Sequence, residues 1–87
     1  MKEEYIIRFE NGMYFKTSSL TDCQTIINQV EVLKAQAFES FQLINYWIRT
    51  LNKLSEENIN YTEYKVEGVY RIVFESFEYR VIEKVKQ

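Results

Sequence analysis

Two glycines, Gly12 and Gly68, are the only backbone punctuation in this 87-residue chain, which contains no proline. Each stands between runs of strand-forming residues, so each is read as a turn. Tyr5-Ile6-Ile7-Arg8-Phe9-Glu10 precedes Asn11-Gly12, and Met13-Tyr14-Phe15-Lys16-Thr17 follows it. Asn-Gly between β-branched and aromatic runs predicts a hairpin with a two-residue type I′ loop, because both central positions need positive φ. That loop sets Phe9 opposite Tyr14 and Arg8 opposite Phe15.

The second glycine repeats the pattern. Tyr61-Thr62-Glu63-Tyr64-Lys65-Val66 precedes Glu67-Gly68, and Val69-Tyr70-Arg71-Ile72-Val73-Phe74 follows. Glu-Gly is a weaker turn pair, but the flanking strand propensity is strong. Phe77-Glu78-Tyr79-Arg80-Val81 alternates like a further strand. Phe77, Val81, Ile82 and Val85 also fit a helical face capped by Ser76, but strand is the favoured reading.

Between the hairpins lies a long stretch free of glycine and proline. Thr21-Asp22-Cys23-Gln24 has capping-box form, and a seven-residue pattern then runs through Cys23, Ile26, Val30, Leu33, Ala37, Ser40, Ile44, Trp47, Leu51 and Leu54. Only Ser40 breaks the apolar seam. A single helix over 20–55 would be roughly 50 Å long, whereas a domain of this size is about 25–30 Å across. Either the helix breaks near Phe38-Glu39-Ser40-Phe41, with Ser40 capping a second segment, or it stays long and pairs with another chain. A strand over Val32–Glu39 is the third alternative. Phe-Glu-Ser-Phe occurs twice, at Phe38–Phe41 and Phe74–Phe77, in flanks that do not match. The expected fold class is therefore α+β over a single domain, 1–87. An antiparallel sheet from N- and C-terminal hairpins packs against a central helical segment of one long or two shorter helices.

Composition narrows function. Aromatics make up 16% of the chain, while histidine is absent. Aromatic side chains dominate cores and interfaces; histidine is the usual proton carrier and metal ligand near neutral pH. Cys23, the only cysteine, has no histidine to activate it and falls on the inner seam of the expected helix, where a buried structural thiol is the simplest reading. The carboxylates are scattered, and neither glycine belongs to a phosphate-cradling loop. No catalytic, cofactor-binding or metal-binding residues are expected. With no signal-like start and no apolar run of membrane-spanning length, the expected location is the cytoplasm.

Binding remains. The net charge of −2 gives no long-range attraction for phosphate. Aromatic strands carrying Arg8, Lys16, Lys65, Arg71 and Arg80 could still form a platform for single-stranded nucleic acid. Gly68-Val69-Tyr70-Arg71-Ile72-Val73-Phe74 distantly resembles an RNA-recognition-motif strand. It lacks the basic residue before the glycine and the small residue after the first aromatic. Glutamates on the same strands disfavour this alternative. One helical layer covers only one sheet face, so some strand aromatics should lie open to a protein partner. Tyr5, Tyr14, Phe15, Tyr64, Tyr70 and Arg71 are the candidate partner-binding residues. Ile26, Val30, Leu33, Ile44, Trp47 and Leu51 are the candidates for self-association in a homodimer.

The opening Tyr5–Lys16 resembles the start of many small phage and prophage proteins. In general character the chain is similar to phage-encoded inhibitors of bacterial defence, including anti-CRISPR proteins. The resemblance implies a short, non-catalytic, acidic protein that docks on a host complex in the host cytoplasm. It carries over no individual functional residues. The expected function is a non-enzymatic protein-binding module of that inhibitor type. A nucleic-acid platform and a purely structural homodimeric accessory protein are the alternatives.

Overall fold

The computed structural model describes residues 2–21 and 24–86. Strands β1 (Tyr5–Phe9), β2 (Tyr14–Thr21) and β3 (Gln24–Val30) come first. A 3-10 turn at Val32–Lys34 and helix α1 (Phe41–Glu57) follow, then a 3-10 segment at Ile59–Tyr64. Strands β4 (Val66–Glu75) and β5 (Arg80–Lys84) complete the chain. The sheet is antiparallel in the order β3-β2-β1-β4-β5, so the hydrophobic first strand takes the centre. This is the expected α+β architecture, with hairpins at both ends of the chain and a helix packed on one face of the sheet.

The first hairpin forms with a different loop. Phe9 O accepts from Gly12 N at 3.0 Å, and Phe9 N donates to Met13 O at 2.8 Å. Gly12 takes φ 88° while Asn11 keeps a negative φ. The turn is therefore centred on Glu10-Asn11 with a glycine bulge after it, not a type I′ pair. Asn11 Oδ1 accepts from Met13 N at 3.0 Å and holds this arrangement. The extra residue slides the register: Arg8, not Phe9, lies opposite Tyr14. Because side chains alternate, that slip puts Phe15 on the same face as Phe9 and turns Tyr14 to the other.

The segment after β2 corrects the expected helix. Gln24–Val30 is a strand, with Lys16 opposite Asn28 and Thr17 opposite Ile27. Four of its seven residues are β-branched, which disfavours helix and suits a pleated surface. The Thr21–Gln24 capping box does not form, since Thr21 ends one strand and Gln24 begins the next. Cys23 lies outside the described residues. The second glycine is likewise not a turn. β4 runs through Gly68, and Tyr61 and Tyr64 lie on the 3-10 segment instead of a strand. The tail forms a strand as favoured, but β5 covers Arg80–Lys84, and Phe77–Tyr79, where the alternation begins, lie in the bend before it.

Helix α1 begins where a break was expected. Ser40 is its N-cap, its Oγ accepting from Leu43 N, and Ile44 and Leu51 are fully buried two turns apart. At about 25 Å its 17 residues fit within the molecule's 36 × 31 × 24 Å extents. It covers a core of Tyr5, Ile7, Phe9, Phe15, Phe38, Ile44, Leu51 and Val69, with Trp47 and Ile48 packed against it. The chain reaches this face by passing through the sheet. β1 and β2 diverge beyond their turn, and residues 36–38 fill the gap. Tyr5 and Phe38 exchange two backbone hydrogen bonds of 2.8 Å, Gln36 N donates to Phe15 O at 2.9 Å, and Gln36 Oε1 accepts from Thr17 N at 2.8 Å. Ile6 alternates away from the helix yet has no exposure, so the second face is also partly covered.

Candidate functional site

Two surfaces concentrate chemistry, and a β-bulge positions each of them. The first lies on the sheet face away from α1. Arg8 pairs with Gly68 and Phe9 with Val66, which leaves Glu67 as an extra residue. A bulge re-aims its side chain, and Glu67 turns to the face of Arg8. Arg8 Nη1 donates to Glu67 Oε1 at 2.9 Å, and the Tyr70 hydroxyl donates to the same oxygen. Lys84 Nζ stands 2.8 Å from Oε2 as an ion-pair partner without a directed hydrogen bond. The Arg8 guanidinium also sits 5.9 Å from the ring centroids of both Tyr14 and Tyr70. Gly68 makes room for the lysine, since a Cβ there would meet Lys84 Cε at 3.0 Å.

The electrostatics of this cluster are locked. Burial pushes Glu67 up, but the Lys84 ammonium beside it and the hydrogen bonds from Tyr70 and Arg8 outweigh it and hold the carboxyl at about 2. The Glu67 carboxylate in turn raises Arg8, Tyr70 and Lys84 above their ordinary values. Near neutral pH Glu67 is thereby held in its charged form and its three partners in their protonated forms. A cleft of about 510 Å³ beside the cluster is lined by Glu67, Gly68, Val69, Lys84, Val85 and Lys86. Its carboxylate and its nearest ammonium already neutralise each other. Among the described residues, no three acidic or thiol side chains converge as metal ligands. No helix among them is long and apolar enough to cross a membrane.

The second surface is the far end of the β4–β5 hairpin. A second bulge falls between Ile72 and Phe74, where Ile72 pairs with Ile82 and Phe74 with Val81. From the bulge residue Val73 onward the hairpin carries Val73, Phe74, Phe77, Tyr79 and Val81, all exposed, with Phe77 at 89%. The apex is held by one serine. Ser76 N donates to Tyr79 O at 2.9 Å, and Ser76 Oγ accepts from Glu78 N and Tyr79 N at 3.2 Å each. Phe74 and Tyr79 support the apex from below, with ring centroids 5.7 Å apart. Arg80 anchors its base. The guanidinium donates to the Val32 and Ala35 carbonyls at 3.1 and 2.7 Å, and to Glu75. Both Phe-Glu-Ser-Phe copies thus use their serine to cap backbone N–H groups, in unrelated settings.

The six candidate partner-binding residues do not form one surface. Tyr5 and Phe15 are core residues, and Phe15 packs on Phe38 and Trp47. Tyr64 packs its ring on Phe9 at 5.5 Å and is half-buried. Arg71 is paired with Glu83. Only Tyr14 and Tyr70 remain together, flanking Arg8. The self-association candidates are likewise scattered. Ile44 and Leu51 are interior, Trp47 is half-buried, Leu33 lies on a 3-10 turn, and Ile26 and Val30 lie on β3. Among the described residues, no continuous helical seam joins Ile26 to Leu54, because Gln24–Val30 is a strand and the helix starts at Phe41. Sequence reasoning passed over Glu67 as a turn residue and over the Val73–Val81 tip. The available signal for the tip was five large apolar residues within nine positions, more than a short edge hairpin can bury.

No family model matches this chain, and no curated protein or solved structure matches it either.

Proposed function

We propose that this protein is a non-enzymatic binding module that docks the β4–β5 tip into an apolar pocket on a protein partner. The observation that carries this reading is Phe77, 89% exposed at the apex of a turn fixed by three hydrogen bonds. A large aromatic held out in water by ordered backbone is the arrangement of an interface anchor. Glu78 borders it, while Glu75 is paired with Arg80, so a basic group on the rim of the partner's pocket complements the tip at Glu78. Those carboxylates, and the engagement of Arg71 by Glu83 and Arg80 by Glu75, make phosphate the poorer ligand. The class of partner implied by the likeness to phage-encoded inhibitors is a host defence complex in the host cytoplasm, bound without a cofactor.

A photo-crosslinking residue at position 77 identifies the partner, which is then purified and titrated against wild type and Phe77→Ala. The variant should keep the wild-type melting temperature and lose affinity by tenfold or more, as truncation of an anchor does. Equal affinity of the two proteins for that partner would overturn the reading.

A further inference from the structure

The two edges of the sheet are protected unequally. β5 carries Arg80, Glu83 and Lys84 among its five residues, the charges that keep an edge from pairing with another strand. β3 is the other edge, and its seven residues, Gln24-Thr25-Ile26-Ile27-Asn28-Gln29-Val30, hold no charge, glycine or proline. Gln36 binds the Phe15 carbonyl and the Thr17 amide from the β1 side. Backbone groups alternate along a strand, so Tyr14, Lys16 and Ser18 turn theirs toward β3. Their partners there are Val30, Asn28 and Ile26. Thr25, Ile27 and Gln29 therefore direct their N–H and C=O groups outward, and among the described residues no other backbone hydrogen bond occupies them.

The geometry points to β3 as a self-pairing edge, in which a second copy of this chain adds antiparallel across a two-fold axis at Ile27. Ile27 then faces its own copy, and Thr25 faces Gln29 of the other. The outward triplet is self-complementary in this register. With a net charge of −2 per chain, two copies repel least where no charge is present. An extended peptide from another protein needs flanking pockets for its side chains. Among the described residues, the two best-formed clefts, of about 510 and 340 Å³, lie around Lys84 and around Arg71, away from β3. The paired sheet would leave the β4–β5 tip at its outer ends, so this inference stands or falls separately from the tip's function.

Sedimentation and amide exchange test it in the full chain. Wild type should rise from monomer to dimer mass across the micromolar range. The Thr25, Ile27 and Gln29 amides should gain protection with concentration, while those of Ile26, Asn28 and Val30 stay protected throughout. The double variant T25K/Q29K places lysine opposite lysine twice across the axis and should weaken dimerisation about tenfold. T25K/Q29E places lysine opposite glutamate and should restore it, although it perturbs the same two positions. Should the double variants fail to fold, T25K alone, at an exposed site, should reduce dimer mass. A wild type that stays monomeric at high micromolar concentration, or lysine and glutamate variants that behave alike, would overturn the proposal.

Discussion

Glu67 shows how much one residue's surroundings decide. The bulge at its position sends a carboxylate to the face where Arg8, Tyr70 and Lys84 converge, and those donors override its burial. Its folded pKa of about 2 lies below the ordinary value of 4.5. The stabilisation it contributes is therefore complete above that ordinary value and is lost as pH falls from there toward 2. Glu67→Gln keeps the shape and removes the charge. It should cost about 1–3 kcal/mol at neutral pH and flatten the acid limb of the stability–pH curve, as urea unfolding at a series of pH values would measure. An unchanged acid limb would mean that the cluster contributes nothing to acid sensitivity. The residue scale also shows where sequence was silent. Glu-Gly marks a turn, and nothing local distinguishes a turn glycine from Gly68, which instead clears space for a lysine crossing from the next strand.

At the scale of elements, α1 was legible and β3 was not. Ser40 is a good N-cap by residue type, and Ile44, Trp47 and Leu51 repeat at helical spacing, so local preference and burial agree. Ser40→Ala should remove the cap bond to Leu43 and lower stability by about 1 kcal/mol, while Ser40→Asp should retain most of it; thermal melts of both variants check this. Ile26, Val30 and Leu33 also sit at helical spacing, but Thr25, Ile26, Ile27 and Val30 are β-branched. An apolar set spaced in this way fits more than one element. What settled it was the open edge of β2, which pairs with Gln24–Val30 in an antiparallel ladder that is regular from Tyr14 to Ser19. The heptad pattern had no second helix to pack against over that segment.

The whole molecule is held by contacts distant in sequence. Residues 36–38 part β1 from β2 and carry the chain through the sheet, and Arg80, 11% exposed, ties the preceding 3-10 turn to the β4–β5 hairpin. A planar guanidinium can serve two carbonyls and a carboxylate together, whereas an ammonium on a flexible stem cannot hold that geometry. Arg80→Lys should therefore destabilise by about 2 kcal/mol, seen as a lower urea midpoint with an unchanged slope. A midpoint within error of wild type would show that the tie is dispensable.

The sequence by itself determined the class of fold. The runs at Tyr5–Phe9, Tyr14–Thr17 and Val69–Phe74, a turn between the first two, and a capped helical period from Ser40 onward are local preferences that the folded chain keeps. Only the tertiary structure decided which aromatics are inside. One extra residue in the first turn moved Phe15 into the core and left Tyr14 outside with Arg8. The last hairpin, reaching past the sheet, left Phe77 bare. Strand register, bulges and the limits of a sheet are set by pairing energies between residues far apart in the chain. Single-residue changes in those pairings reverse inside and outside while leaving every local preference intact.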